Sequence, residues 1–250
     1  MAVTSQANEN LFKVNKTSGK ITMDKAQLFH TFVAKGLFLC KRARPDIQTA
    51  IALMCTRVKD PRQDDWYKLI RLMKWLSQTR DDCLTLRAEQ LEKVYWYIDA
   101  AFAVHDDFKS HTGVVMTFGE DSGAVISMSC KQKVNTRSST EAELMAVDDA
   151  ISQILLTKFF MEEQGYPTEV TLYQDNRSAM LLENNGRSSA GKRSRHLNIK
   201  YFYITDQVEQ GLVKIEYCPT DLMKADFLTK ALHGKKMKKF RSEILNIANE

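Results

Sequence analysis

The run "VYWYIDAAFAV" at residues 94–104 constrains the fold more than any other stretch. Its aromatic and β-branched residues read as a strand, and its near-continuous apolarity reads as one covered on both faces. Asp99 stands in the middle of it. An unpaired carboxylate in such a place costs several kcal/mol, or it takes up a proton. Two readings are open. Asp99 is either a partnered or surface residue without chemistry, or it holds a cation together with acids from elsewhere in the chain.

The stretches that follow say what kind of sheet this strand joins. "TGVVMTFG" and "AVISMSCK" read as two more strands, separated by short turns containing Asp, Ser and Gly. A long helix comes next, "STEAELMAVDDAISQILLTKFFMEEQG", with Leu144, Val147, Ile151, Ile154 and Leu155 on one side. Then come a strand "EVTLYQD", a helix "RSAMLLENN", a basic loop, a helix "LNIKYFYITDQVEQ", a strand "LVKIEYC" and two terminal helices. Three consecutive strands followed by helix–strand–helix–strand predict an α/β fold with a mixed five-stranded sheet and flanking helices.

Before about residue 90 the pattern is helical. "DKAQLFHTFVAKGLFLCKRA" is helix-compatible, and Pro45 in "RPDIQTAIALMCTRV" suits a first helical turn. In "RQDDWYKLIRLMKWLSQT", Trp66, Leu69, Ile70, Met73 and Leu76 form one apolar face, read as core. Residues 1–90 are therefore expected to form a helical unit and residues 91–250 the unit with the sheet.

Composition excludes some classes of function. No apolar run approaches the roughly 18 residues that span a bilayer, and the polar start "MAVTSQANENLFKVNKTSGK" lacks a signal peptide's apolar core. Five cysteines without CxxC spacing argue for reduced thiols, an intracellular setting and no zinc site. The net charge of +5 is mild but unevenly spread. Between residues 183 and 206 there is no acid, while Arg187, Lys192, Arg193, Arg195 and Lys200 are basic. Residues 230–241 are likewise acid-free and rich in Lys. Two such stretches suit a polyanionic partner, although each alone also reads as a solvated face.

Other acids compete to join Asp99. Asp175 ends "TLYQD" where the chain enters a helix, the place where α/β sheets build sites, and also a good helix N-cap. Ser138 and Glu141 fit a capping box, which gives Glu141 structural work. Glu143, about 200° around the helix from a residue two positions back, cannot share a site with Glu141 and is left unexplained. Asp226 in "LMKADFLTKAL" sits early in a helix, where the macrodipole favours acids. A carboxylate cluster around Mg²⁺ would account for all of them. Hard cations prefer oxygen, and two metals roughly 3.5–4 Å apart serve phosphodiester hydrolysis.

In that order, "YIDAAFA", "SSTEAELMA", "YQDN", "RHLNIKYFYI" and "PTDLMKADFLTK" resemble the ribonuclease H domain of copia-type LTR-retrotransposon polyproteins. Upstream, "FHTFVAKGLFL", "RPDIQTAIA" and "KLIRLMKWLSQT" are similar to the reverse transcriptase tail that precedes that domain. The resemblance covers about residues 10–247. It implies a ribonuclease H-like sheet over 91–250 and a thumb- or connection-like remnant over 1–90. It also implies a hydrolase cutting the RNA strand of RNA–DNA hybrids, next to an upstream reverse transcriptase domain. Asp99, Glu143, Asp175 and Asp226 would be its catalytic and metal-binding acids, with two Mg²⁺ ions that Mn²⁺ could replace. Many cellular relatives carry a mobile histidine shortly before the last aspartate; "CPTDLMKAD" has none, so the proton donor to the leaving group is unassigned. Arg187, Lys192, Arg193, Arg195, His196 and Lys200 are the candidate nucleic-acid contacts.

Two motifs mislead. "YIDA" is one residue short of a polymerase Y-x-D-D, because its fourth residue is Ala100. "GRSSAGKR" has phosphate-loop spacing, but Arg193 replaces the Ser/Thr that would bind Mg²⁺ and the segment follows a helix instead of a strand. An integrase-like nuclease is disfavoured by acid order, since Glu143 comes second here. The non-enzyme alternative is a domesticated fragment that binds nucleic acid or only folds.

Overall fold

A computed structural model describes residues 2–119, 121–186 and 198–248, with the backbone alone for 198–202. Five strands make one sheet: β1 (Lys93–Ala101), β2 (His111–Thr117), β3 (Ile126–Lys131), β4 (Glu169–Gln174) and β5 (Lys214–Tyr217). Their order is β3-β2-β1-β4-β5, so the apolar run lies at the centre. β1 is antiparallel to β2 and parallel to β4, and β4 is parallel to β5. This is the mixed five-stranded α/β sheet that the order of elements predicts.

The alternation of β1 explains its apolarity. Val94, Trp96, Ile98 and Ala100 face α4 (Ser139–Glu163), whose Ala142, Ala146 and Ala150 let helix and sheet approach closely. Tyr97 belongs to the opposite core, with the N-terminal helices and the C-terminal segment. Those helices are α1 (Met23–Arg42), α2 (Gln48–Cys55) and α3 (Gln63–Gln78). Pro45 opens a 3-10 turn, Pro45–Ile47, ahead of α2. The change near residue 90 marks where helices give way to strands, and the packing crosses it: Phe29, Ile51 and Leu72 share one core with Val115, Phe227 and Phe240.

On α3 the buried face is rotated from the expected one. Leu69, Leu72 and Trp75 are buried, while Trp66, Met73 and Leu76 flank them partly exposed. The rotation follows from two polar residues that find partners inside. Asp65 accepts from the Arg62 N–H (2.9 Å) and faces Arg57 (3.3 Å), and Lys68 donates to the Lys13 carbonyl (2.6 Å).

The remaining helices are α5 (Arg177–Asn185), α6 (Asn198–Glu209), α7 (Asp226–Thr229) and α8 (Gly234–Leu245). The second basic run is not a uniform solvated face. Arg241 on α8 is buried, pairs with Asp46 (3.2 Å) and Asp82, and stacks over Trp75 at 5.0 Å. Asp46, itself fully buried, also takes both arms of Arg44 at 2.8 Å. A buried charge needs such pairing, and here it anchors α8 to the helical region.

Candidate metal centre

Asp99 lies opposite Gly113 of β2, and the glycine decides what can sit above it. A Cβ at position 113 would come 2.6 Å from Thr229 Cγ2 and 2.8 Å from the Ala225 carbonyl. Without one, α7 rests directly on the sheet. Two hydroxyls pin it there: Thr49 donates to the Phe227 carbonyl (2.9 Å) and Ser129 to the Leu228 carbonyl (2.7 Å). Thr229 thereby donates its hydroxyl to Asp99 Oδ2, and Lys230 Nζ stands 3.4 Å from the same oxygen. Asp99 is 1 % exposed, so its charge depends on these neighbours.

Glu143 arrives from the start of α4. Ser138 caps that helix by accepting from the Glu141 N–H (3.2 Å). The Glu141 carboxylate accepts from the Arg137 N–H, one residue ahead of the cap. Glu141 is therefore occupied by the helix start, close to the capping box that its spacing suggests. Gln132 fixes the same end to the sheet, donating to the Ala142 carbonyl (2.8 Å) and to Thr112 Oγ1 (3.1 Å). Glu143 is buried, and its Oε2 has no hydrogen-bond partner.

Asp175 follows β4, and the capping role open to it in sequence belongs to its neighbour. Asn176 caps α5, accepting from the Ser178 N–H (3.0 Å) and the Ala179 N–H (3.1 Å). Asp175 instead accepts from the Thr220 hydroxyl (2.9 Å). Carboxylate oxygens of Asp99, Glu143 and Asp175 all lie within 4.8 Å of one another. Asp226 is not in that group among the described residues. Its Oδ1 is bound by Lys230 and its Oδ2 by Lys236 (2.6 Å), so it adjoins the three acids through Lys230.

The electrostatics show the strain of this grouping. Burial pushes the Asp99 carboxyl up to about 6; Lys230 opposes the rise, and Asp226 and Asp175 add to it. Burial, then Asp99 and Asp175, hold Glu143 well above the usual carboxylate range. Burial alone would weaken the Lys230 ammonium, yet Asp99 and Asp226 keep it more firmly charged than an ordinary lysine. A set of crowded oxygen donors with an unpartnered, buried Glu143 Oε2 fits a hard divalent cation, which would favour the ionised form of each acid.

Four further residues matter here that spacing alone did not single out. Thr229 and Lys230 follow Asp226 by three and four positions, a relation readable from "DFLTK" once the helix is placed. Gly113 has no local signature. Glu183 on α5 is fully buried; burial pushes its carboxyl up to about 8, and the side-chain amide of Gln174 beside it pulls the other way. Of the candidate nucleic-acid contacts, Arg187, Lys192, Arg193, Arg195 and His196 lie outside the described residues, and Lys200 is placed only as part of α6.

The fold and its acids define a class: an α/β protein with a mixed sheet and carboxylates gathered from a strand, a helix and a strand end. No family model matches the chain. It is 31% identical over 196 residues to the retrovirus-related Pol polyprotein from transposon TNT 1-94 of Nicotiana tabacum, covering 77% of this chain and 14% of the polyprotein. It is 30% identical over 207 residues to that from transposon RE2 of Arabidopsis thaliana, covering 80% and 14%. The homologues of this chain are thus retrovirus-related Pol polyproteins of plant transposons, and it spans about 14% of their length. Among solved structures, LC11-RNase H1 isolated from compost aligns at 18% identity and TM-score 0.42, over 55% of this chain and 92% of that one. The prototype foamy virus protease-reverse transcriptase aligns at 16% and 0.39, over 64% and 26%.

Proposed function

We propose that this chain is a metal-dependent ribonuclease H that cuts the RNA strand of RNA–DNA hybrids, working inside the cell beside an upstream reverse transcriptase domain. The observation that carries the reading is the meeting of Asp99, Glu143 and Asp175 within 4.8 Å, with Glu143 Oε2 buried and unpartnered. The motif resemblance and the homology to Pol polyproteins support it from the side of sequence. In this reading Asp99, Glu143 and Asp175 hold Mg²⁺, and Asp226 completes the acid set from α7. A bound divalent ion supplies a water of lowered pKa and a positive charge for the phosphodiester.

The chain's own residues supply orientation. Thr229 fixes one oxygen of Asp99 and Thr220 one oxygen of Asp175, leaving the others for the cation. The ammonium groups of Lys230 and Lys236 add fixed positive charge at the edge of the acids, where a phosphate backbone would lie. The 2′-hydroxyls of the RNA strand are what a hybrid-specific site would read.

The test separates two glutamates on one helix. Glu143→Gln should reduce cleavage of a labelled hybrid to background, since it loses a charged ligand. Glu141→Gln should stay near the parent, because Gln also serves at a helix start. The reverse outcome would remove Glu143 from the site and the reading with it.

A further inference from the structure

A ladder of tyrosines crosses the face of the sheet opposite α4. The Tyr173 ring on β4 lies 6.0 Å from Tyr95 of β1, nearly parallel at 13°, and 5.0 Å from Tyr97 at 31°. Beside Tyr97 and Tyr173 the face opens into a cavity of about 380 Å³. That is a small-molecule volume, near the lower end of a range of about 300–1,000 Å³. Tyr217 and Leu222, which also line it, are 43% and 53% exposed, so it is open to solvent. Its polar groups carry both signs. Lys224 is buried and holds its ammonium 5.3 Å from the centre of the Tyr97 ring, while Asp121 and Glu243 of α8 line the same space. The cavity adjoins the acid centre without sharing its residues. Cys218 on its wall donates its N–H to the Gln174 carbonyl (2.9 Å), and Thr220, two residues on, holds Asp175.

We propose that this cavity receives one unpaired nucleobase, with guanine preferred. The proposal goes beyond the nuclease reading and needs no metal ion. Shape supports it, because tyrosine rings offer a flat base a stacking surface. Charge narrows the ligand. Two carboxylates beside one ammonium disfavour a phosphate and suit an uncharged ring that presents both donors and an acceptor. Guanine presents N1–H and N2–H₂ side by side for a carboxylate, with O6 next to them for an ammonium. Adenine has no carbonyl, and cytosine and uracil present a single donor group on that edge. The phosphate of the same nucleotide stays outside, where Arg177 sets its guanidinium 4.6 Å over the Tyr217 ring.

Such a base has two sources, a free nucleotide or the unpaired end of a strand, and two binding experiments on the intact chain distinguish them. Both are run in EDTA, so that neither cleavage nor the acid centre's metal enters the result. Isothermal titration compares guanosine monophosphate with adenosine monophosphate. Fluorescence anisotropy compares a labelled RNA–DNA hybrid ending in one unpaired G with the same hybrid ending in one unpaired A, which carries equal charge. A preference for guanine of about tenfold in either experiment supports the proposal and names the source. Tyr173→Leu should weaken that binding about tenfold, and Glu243→Gln should abolish the preference. Equal affinity for the two bases in both experiments, or a guanine preference unchanged in Glu243→Gln, would overturn the proposal. The parent's comparison of the two bases decides the matter even where Tyr173→Leu fails to fold.

Discussion

Lowering the pH from 7 to 5 should destabilise the fold through two histidines that the acid site does not use. His105 Nε2 and His111 Nδ1 are 2.9 Å apart, and His111 Nε2 is 2.7 Å from Ser129 Oγ. Ser129 gives its proton to the Leu228 carbonyl, so it must accept from His111 Nε2–H. His111 Nδ1 is then the acceptor for His105 Nε2–H, and both rings are neutral. Phe12 closes the pair edge-on at 5.2 Å from each. Burial lowers His111 to about 3, helped by His105. Burial lowers His105 to about 4; Lys131 and Lys109 assist and Asp107 opposes.

In the unfolded chain both rings titrate near the ordinary value of about 6.5. Below that pH the unfolded state binds protons that the folded state refuses. Stability supplied by the neutral pair is therefore present above pH 6.5 and is lost as pH falls toward 4. For two such groups the loss between pH 7 and 5 comes to about 4 kcal/mol, a large share of a typical domain's roughly 5–15 kcal/mol. Asp99, Glu143 and Glu183 pull the other way, because their raised pKa values make the folded state take up protons first. The measurement must therefore be a difference. Urea unfolding of the parent and of His105→Gln/His111→Gln at pH 7 and 5 should show the parent losing about 4 kcal/mol more than the variant. Parallel losses in the two proteins would refute the reasoning.

Two more perturbations test the placement of the site. Gly113→Ala drives a methyl group into Thr229 and the Ala225 carbonyl, so α7 must shift; overpacking of this kind costs about 1–3 kcal/mol. Thermal melting should fall and hybrid cleavage with it, whereas a variant matching the parent in both would mean that α7 does not rest on β2. Neutralising Lys192, Arg193 and Arg195 together should weaken hybrid binding and flatten its salt dependence by about 0.9 per lost duplex contact, or somewhat less for a hybrid. An unchanged slope at matched ionic strength would take phosphate contact away from that stretch.

What was legible in the sequence follows physical lines. Asp99 announced itself because a carboxylate inside an apolar strand is an energetic anomaly that needs an explanation. Helical geometry separated Glu143 from Glu141, and the sheet's mixed character followed from the order of elements. The capping role left open for Asp175 fell to Asn176, a choice between adjacent good caps that only the turn after β4 settles. Contacts between distant positions were invisible: Lys230 reaching Asp99, Ser129 holding Leu228, and Arg241 entering the core beside Asp46. The rotation of α3 belongs with these, since Lys68 is drawn inward by a carbonyl far along the chain, at Lys13.

The central claim is that the buried Asp99 carboxylate is there to hold a catalytic cation. Its most direct measurement is gel-resolved cleavage of an RNA–DNA hybrid, labelled on the RNA strand, by the purified parent and by Asp99→Asn at equal concentration. The parent should fragment the RNA with Mg²⁺ and stop when EDTA is added. Asp99→Asn should be folded by circular dichroism and should leave the RNA intact at any Mg²⁺ concentration. Full cleavage by Asp99→Asn, or no cleavage by a folded parent with Mg²⁺, would contradict the account.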